Sequence, residues 1–234
     1  PDFDWKVFMA ERGLDAISEI VVTTDGALQA SAEIFGQTPV TTWQSYHAFH
    51  WINNHAPLLS NSYADAHFAF FRQRLGGVES QRPRADLAVN FVSRRLGELI
   101  GQVYVEKHFP PEYRAQMETL VSYLRRAFAE RLENIEWMDD TTRQEALRKL
   151  EAFTPKIGYP DRWRDYSAVS IDPKDLIGNV ARLRDWAWQD SLSKLGEPVR
   201  DWEWFMSPQT VNAYYSPTRN EIVFPAAILQ PPFF

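Results

Sequence analysis

The sequence contains no cysteine among its 234 residues, and this absence excludes two kinds of structure. A disulfide-stapled scaffold and a thiolate metal centre both require cysteine side chains. Long apolar runs are missing too, since no stretch reaches the roughly 18 apolar residues that a membrane-spanning helix needs. The 25 basic residues are outnumbered by 31 acidic ones, which gives a net charge of −6. A nucleic-acid-binding protein usually presents a basic face, so this balance argues against nucleic acid as a partner.

Several catalytic motifs are also missing. The chain has no H-E-x-x-H zinc motif, no G-x-S-x-G nucleophile elbow and no phosphate-binding loop. His47 and His50 lie three residues apart on a predicted helix, so both could reach one metal ion. A zinc site needs a third protein ligand, and we favour packing of these rings among Trp43, Tyr46 and Trp51. The many acidic residues are expected at helix caps and on solvated faces.

What the sequence does contain is ample apolar material arranged with helical spacing. The hydrophobic fraction is 44%, with 9 Trp and 15 Phe, which suffices for one or two packed domains. Apolar residues recurring at steps of three and four predict amphipathic helices. These helices are expected from residue 40, at 63–75, at 85–105, from 111 to about 135, from 142, and from 172 to about 194.

Helix-start signals sharpen two of these predictions. Thr142 followed by Glu145 has the spacing of a capping box, so Thr142 is predicted as an N-cap. Asp172 followed by Pro173 predicts the start of another helix. Residues 20–22 are expected to form either a short strand or a packed connection.

The C-terminal part of the chain has a different pattern. Apolar and polar residues alternate over 211–215, a turn-forming segment follows at 216–220, and a second β run occupies 222–224. Two such runs around a short loop predict a β-hairpin. The expected fold class is therefore mainly α, a multi-helix body followed by one C-terminal β-hairpin.

The hairpin carries a specific resemblance. Its sequence, VNAYYSPTRNEIVFPAAILQPPFF at 211–234, resembles the segment that precedes the zinc helix in neprilysin-family zinc metallopeptidases. The family pattern is N-A-[FY]-Y, a turn, N-x-I-V-F-P-A and then I-L-Q-P-P-F-F. Upstream segments at 96–112, 133–150 and 156–167 are similar to the family as well, and the resemblance weakens towards the N-terminus.

The resemblance implies a two-lobed architecture and a division of labour. Residues 1–200 would form a helical lobe covering the substrate cavity, and residues 201–234 would begin the catalytic lobe. The complete protein would be a zinc-dependent endopeptidase that cleaves oligopeptides on the amino side of apolar residues. Zinc would be bound outside this chain, which would be an internal piece ending just before the zinc motif and inactive alone. An extracytoplasmic location, periplasmic or secreted, is implied too.

The resemblance also assigns substrate-binding residues, and no catalytic residue or metal ligand, within this chain. An extended peptide can bind as an added strand along a sheet edge. Asn212 offers both a donor and an acceptor for such a peptide, and the backbone of Ala213 would bind the neighbouring residue. Tyr214 would lie near the non-primed side, while Ile228 and Phe233 would line the pocket for the residue after the scissile bond. The alternative for the last three is ordinary core packing, and for Asn212 a solvated edge position.

Two partners follow, a peptide substrate and the C-terminal catalytic half of the same protein, in the same chain or as a second one. The hairpin region holds a dense apolar group that is expected to need a partner surface. Its members are Ile222, Phe224, Ile228, Leu229, Phe233 and Phe234. Two alternatives remain open, a peptide-binding pseudo-peptidase without the metal and a helical interaction scaffold.

Overall fold

The computed structural model describes residues 3–234; residues 1 and 2, with which the expected helical lobe 1–200 begins, lie outside this part. The chain folds as two compact units. The first contains residues up to 82 together with 167–198, and the second contains 83–166 together with 199–234. Helices dominate both units and a small sheet lies in the second, which confirms the predicted fold class.

The first unit is helical over its described residues. Its elements are α1 (Trp5–Glu11), α2 (Asp25–Gln37), α3 (Val40–His55), α4 (Asn61–His67), a π-helical segment (Phe68–Arg74) and α9 (Leu176–Leu192). The predicted start of α3 at residue 40 is confirmed. Residues 20–22 form no strand, and Val21 is 94% exposed, so these residues belong to an open connection.

Helix α9 begins later than the sequence predicts. Its N-cap is Asp175, whose Oδ1 accepts the backbone N–H of Gly178 at 2.8 Å. Asp172 instead closes the preceding turn, since its Oδ1 accepts the N–H of Lys174 at 2.8 Å. The predicted start at residue 172 is therefore wrong, because Asp175 and not Asp172 accepts the hydrogen bond from the first turn of the helix.

The helices of the second unit are α5 (Arg84–Arg95), α6 (Gly97–His108), α7 (Pro111–Glu133) and α8 (Asp140–Glu151). The single helix predicted over 85–105 is wrong, because Leu96 leaves the helical conformation at φ −119° and ψ 40°. After the break, α6 packs closely on the segment before the hairpin. A Cβ on Gly101 would lie 2.7 Å from Cδ of Pro208, so only a glycine fits there.

Helix α8 is capped by a residue other than the predicted one. Asp139 is the N-cap, and its Oδ1 accepts the N–H of Thr142 at 2.7 Å. That backbone hydrogen bond lowers the pKa of the Asp139 carboxyl. The capping-box prediction placed the start three residues too late, because Asp139 offers a stronger acceptor than the Thr142 hydroxyl.

A three-stranded sheet crosses the second unit in the order β1-β3-β2. Strands β2 (Tyr214–Ser216) and β3 (Glu221–Pro225) form the antiparallel hairpin that the sequence predicts, with Tyr214 opposite Val223. The predicted first run over 211–215 is wrong for residues 211–213, which lie outside the strand. Strand β1 (Thr154–Gly158) pairs in parallel with β3 and was not predicted. Its Pro155 is tolerated because β1 is an edge strand of this sheet.

The core of the second unit lies where α6, α7, β1 and the residues after β3 meet. Gly158 at the end of β1 has φ +82°, and a Cβ there would lie 2.5 Å from the Phe109 ring. The buried cluster consists of Phe109, Met117, Val121, Ile157, Ala226 and Leu229. It holds the segment that follows β3 and so fixes the C-terminal side of the hairpin. No helix within residues 3–234 is long and apolar enough to cross a lipid bilayer.

Candidate functional site

Asn212 lies exposed two residues before β2, and its side-chain oxygen already accepts a hydrogen bond. Its Oδ1 accepts the backbone N–H of Ala213 at 2.8 Å, and its own N–H donates to the carbonyl of Thr210 at 3.0 Å. Its Nδ2 donates no hydrogen bond to any residue between 3 and 234. The amide therefore presents a free donor to solvent, while its acceptor holds the neighbouring backbone. A peptide that bound both groups would have to displace the Ala213 N–H from Oδ1.

The strand next to Asn212 has one open side. Strand β2 pairs with β3 on one side, and within the described residues no other strand pairs with its second side. Ala213 lies just before the paired residues, half-buried. An unpaired edge carries N–H and C=O groups that can pair with another extended chain. The hairpin thus supplies the backbone geometry that strand addition requires.

Tyr214 is tied to the segment that precedes the hairpin. Its hydroxyl oxygen accepts the backbone N–H of Phe205 at 3.0 Å, and the two ring centroids lie 5.5 Å apart. Burial raises the pKa of the Tyr214 phenol, and the negative charge of Glu221 raises it further. The Phe205 N–H and the charge of Arg219 act in the opposite direction. The first residue of β2 is therefore held by its side chain as well as by the ladder.

The two predicted pocket residues lie in different environments. Ile228 belongs to a 3₁₀ turn (Ala226–Ile228) and packs against the buried cluster of the second unit. Phe233 is 64% exposed. The expectation that the whole apolar group needs a partner surface is wrong for Leu229, which is buried within the chain's own core. Phe233 and Phe234 remain exposed, so the expectation stays a prediction for them.

Three acidic residues in this unit are buried, namely Glu98, Glu203 and Glu221. Glu98 lies in the first turn of α6, as expected of an acidic residue at a helix end, whereas Glu203 and Glu221 contradict the expectation that acidic residues occupy caps and solvated faces. The burial of Glu221 could have been predicted from the spacing of residues in the sequence. Residues two apart on a strand share a face, so Glu221 must lie on the same side of β3 as Val223, which is fully buried.

Glu98 and Glu203 share the guanidinium of Arg164. The Arg164 Nε lies 3.2 Å from Oε1 of Glu98, and its Nη2 lies 3.6 Å from Oε2 of Glu203. The backbone N–H of Arg164 also donates to Oε2 of Glu98 at 2.7 Å. Burial nevertheless raises the pKa of Glu98 above its ordinary value, while the contacts with Arg164 work against that rise. This cluster joins Glu98 of α6 to Arg164, in the segment after β1, and to Glu203, in the segment before the hairpin.

Two models described as peptidase family M13 match residues 1–160 and 212–234. This chain belongs to peptidase family M13, which confirms the neprilysin-family resemblance. The endothelin-converting enzyme homolog of Locusta migratoria is 32% identical over 231 residues, covering 96% of this chain and 30% of that protein. Neprilysin of Oryctolagus cuniculus is 30% identical over 246 residues, covering 99% of this chain and 33% of that protein.

A solved structure agrees with this assignment. Zinc metalloprotease Zmp1 of Mycobacterium tuberculosis, in complex with an inhibitor, is 41% identical and superposes with a TM-score of 0.91. The match covers 99% of this chain and 35% of that protein. The chain thus spans about a third of the length of the relatives it matches.

The histidines of α3 do not form a zinc site. The His47 ring stacks on Trp43 with centroids 5.6 Å apart, and the His50 ring lies 4.3 Å from that of Tyr46. Among residues 3–234 no group of three His, Asp or Glu side chains is placed to hold a metal ion. The aromatic packing of the His47 and His50 rings is therefore what the structure supports.

Proposed function

We propose that this chain is part of a zinc-dependent endopeptidase and supplies its peptide-binding strand. The single observation that carries the proposal is the open edge of β2, which begins two residues after Asn212, in a chain of peptidase family M13. The likeness to zinc metalloprotease Zmp1 supports the same activity. Zinc, its ligands and the general base are assigned to a C-terminal catalytic half, and residues 1–200 to a helical lobe over the substrate cavity.

The proposed binding mode uses backbone pairing first and the Asn212 amide second. An extended peptide aligns along the open side of β2 and pairs with its N–H and C=O groups. The free Nδ2 of Asn212 donates to a peptide carbonyl, and its Oδ1 exchanges the Ala213 N–H for a peptide N–H. The small Ala213 side chain allows close approach. This arrangement fixes the peptide's register without reading its side chains.

Specificity is assigned to the apolar residues around the strand. Ile228 and Phe233 are proposed to line the pocket for the residue after the scissile bond, which favours cleavage on the amino side of apolar residues. Tyr214 is proposed to lie beside the residue before that bond. Family membership also supports an extracytoplasmic site of action. The isolated chain is expected to be inactive, because catalysis is assigned to residues outside it.

The activity is tested with the full-length protein and a set of oligopeptides that differ at one central position. We expect cleavage before Leu or Phe at that position, weak cleavage before Asp or Lys, loss of activity with a chelator and recovery with zinc. Cleavage-site mapping by mass spectrometry reads the result. Peptide binding without hydrolysis at saturating zinc would favour a pseudo-peptidase. The absence of both binding and hydrolysis would contradict the proposal and favour a helical interaction scaffold.

A further inference from the structure

A buried carboxylate belongs to the hairpin itself. Glu221 on β3 is 2% exposed, and its Oε2 lies 2.6 Å from Nζ of Lys156 on β1. Its Oε1 lies 3.9 Å from Nη1 of Arg219 in the hairpin turn. That oxygen accepts no hydrogen bond from the residues that the structure describes. A charge removed from water must be matched by its neighbours, so these three side chains depend on one another.

Both cations also hold the same stretch of backbone, residues 200–203, here called the 200–203 turn. Lys156 Nζ donates to the carbonyl of Asp201. Arg219 Nη1 lies 3.5 Å from the carbonyl of Arg200 and 3.3 Å from that of Glu203. Three carbonyls of one turn are therefore contacted by two side chains that share the Glu221 carboxylate. The two cations therefore link the buried acid to this turn.

The 200–203 turn leads directly to the group that holds Tyr214. Phe205 lies two residues beyond the turn, and its N–H donates to the Tyr214 hydroxyl at 3.0 Å. The guanidinium of Arg219 lies 5.1 Å from the centre of the Phe205 ring. An unbroken series of contacts thus runs from Glu221 through Arg219 and Phe205 to Tyr214. Tyr214 is covalently next to Ala213 and two residues from Asn212.

We propose that Glu221, Lys156 and Arg219 are positioning residues for the peptide-binding strand, acting through the 200–203 turn without touching the peptide. The inference rests on the proposed function, because it names what sets the site's geometry. Buried ion pairs often add little net stability, and their best-attested use is to select one arrangement over others. Here the selected arrangement is the placement of residues 212–214.

The test uses Arg219→Met and Arg219→Lys in the full-length enzyme, with peptide kinetics, zinc content and melting curves. Arg219→Met is expected to raise KM about fivefold, because the carbonyls of Arg200 and Glu203 lose their charged donor. The values of kcat and zinc content should stay near wild type. Arg219→Lys keeps the charge near Glu221 but loses the guanidinium plane that lies over the Phe205 ring. It should restore most of the melting temperature and leave KM raised, because the contact that links Arg219 through Phe205 to Tyr214 is lost.

Two further variants keep the test decisive. Lys194→Met removes a partly buried ion pair with Asp190 in the first unit and should leave KM unchanged. The double variant Lys156→Met with Glu221→Gln removes both buried charges together, so it avoids stranding one of them. It is expected to fold and to raise KM by roughly the same factor as Arg219→Met, because the Asp201 carbonyl loses its donor.

Asn212→Ala in the same series separates this inference from the proposed function. If Asn212→Ala impairs the enzyme while the Arg219 and double variants keep wild-type KM, the positioning role is overturned and the binding strand stands. Full restoration of KM by Arg219→Lys also overturns it, since charge compensation would then suffice. If Asn212→Ala has no effect either, the proposed binding strand itself fails.

Discussion

Tyr214 shows how one residue can be anchored by the fold and belong to a candidate site together. Its backbone pairs with Val223 in the hairpin, and its hydroxyl binds the Phe205 backbone. Its half-buried ring contacts the Phe205 ring, which is itself largely exposed. A side chain placed in this way can present a ring edge to a bound peptide without losing its own anchor.

The Tyr214 phenol should titrate late. Its pKa is raised chiefly by burial, so the folded protein keeps the phenol protonated above the ordinary value of about 10. The stability linked to this group is present below that value and is lost as pH rises through the folded pKa. In a titration followed by phenolate absorbance, the Tyr214 phenol should ionise at the highest pH, and Tyr214→Phe should lack this component. The control variant Tyr123→Phe, at an exposed position, should retain it. If the Tyr214→Phe curve keeps the component, the described environment of Tyr214 is wrong.

Glu98 gives a second pH prediction with a definite sign. Its pKa is raised by burial despite the Arg164 contacts, so the folded state binds the proton more tightly than the unfolded chain. The linked stability is complete below the unfolded pKa of about 4.3 and disappears as pH rises through the higher folded value. The melting temperature of wild type relative to Glu98→Gln should therefore fall as pH rises through this window. A difference that stays constant or grows with pH would contradict the prediction.

At the level of whole elements, the sequence predicts what local patterns determine. Helix α7 and the hairpin were predictable because their apolar spacing runs uninterrupted between clear turn signals. The break at Leu96 was not predictable, since the residues after it pack closely on a segment more than a hundred residues later, with Gly97 against Ser207 and Gly101 against Pro208. Strand β1 was missed because it is short, contains Pro155 and pairs with β3 more than sixty residues later.

Some features of the candidate site could likewise be predicted from the sequence and others could not. The position of Asn212 before an edge strand follows from the local motif, and it lies exposed as a binding role requires. The engagement of its Oδ1 by the Ala213 N–H has no sequence signature, because it depends on one side-chain torsion. The ion pair of Lys156 with Glu221 joins two strands far apart in the chain, so no local pattern could predict it.

Gly158 tests the packing between β1 and α6. Its φ of +82° strains any other residue, and an added Cβ would lie 2.5 Å from the buried Phe109 ring. Gly158→Ala should lower the unfolding free energy by about 3 kcal/mol, from backbone strain of 1–2 kcal/mol and overpacking of similar size. Gly196→Ala is the matched control, because Gly196 has φ +74° but nothing within 4 Å of the added Cβ. Equal losses in the two variants would show that the Phe109 contact carries no cost.

At the level of the whole molecule, the three strands bind together parts of the chain that the expected lobes separate. Strand β1 lies before residue 200, and β2 and β3 lie after it, yet all three belong to one compact unit. The assignment of 1–200 to a cavity lobe and 201–234 to a catalytic lobe stays a proposal. The hairpin is anchored in the chain's own core through Ala226 and Leu229, while Phe233 and Phe234 remain exposed beyond it.

The most direct test of the central claim is the steady-state kinetics of Asn212→Ala in the full-length enzyme. The substitution removes an exposed amide and no core volume, so zinc content and melting temperature should be unchanged. Loss of its hydrogen bonds to a bound peptide costs about 1–3 kcal/mol, which lowers kcat/KM about tenfold to hundredfold. Asn134→Ala, at the exposed C-terminal cap of α7, is the matched control: it loses the hydrogen bond from Nδ2 to the Glu130 carbonyl and should keep the wild-type kcat/KM. Wild-type kcat/KM in Asn212→Ala would remove this residue from the site and contradict the assignment of β2 as the peptide-binding strand.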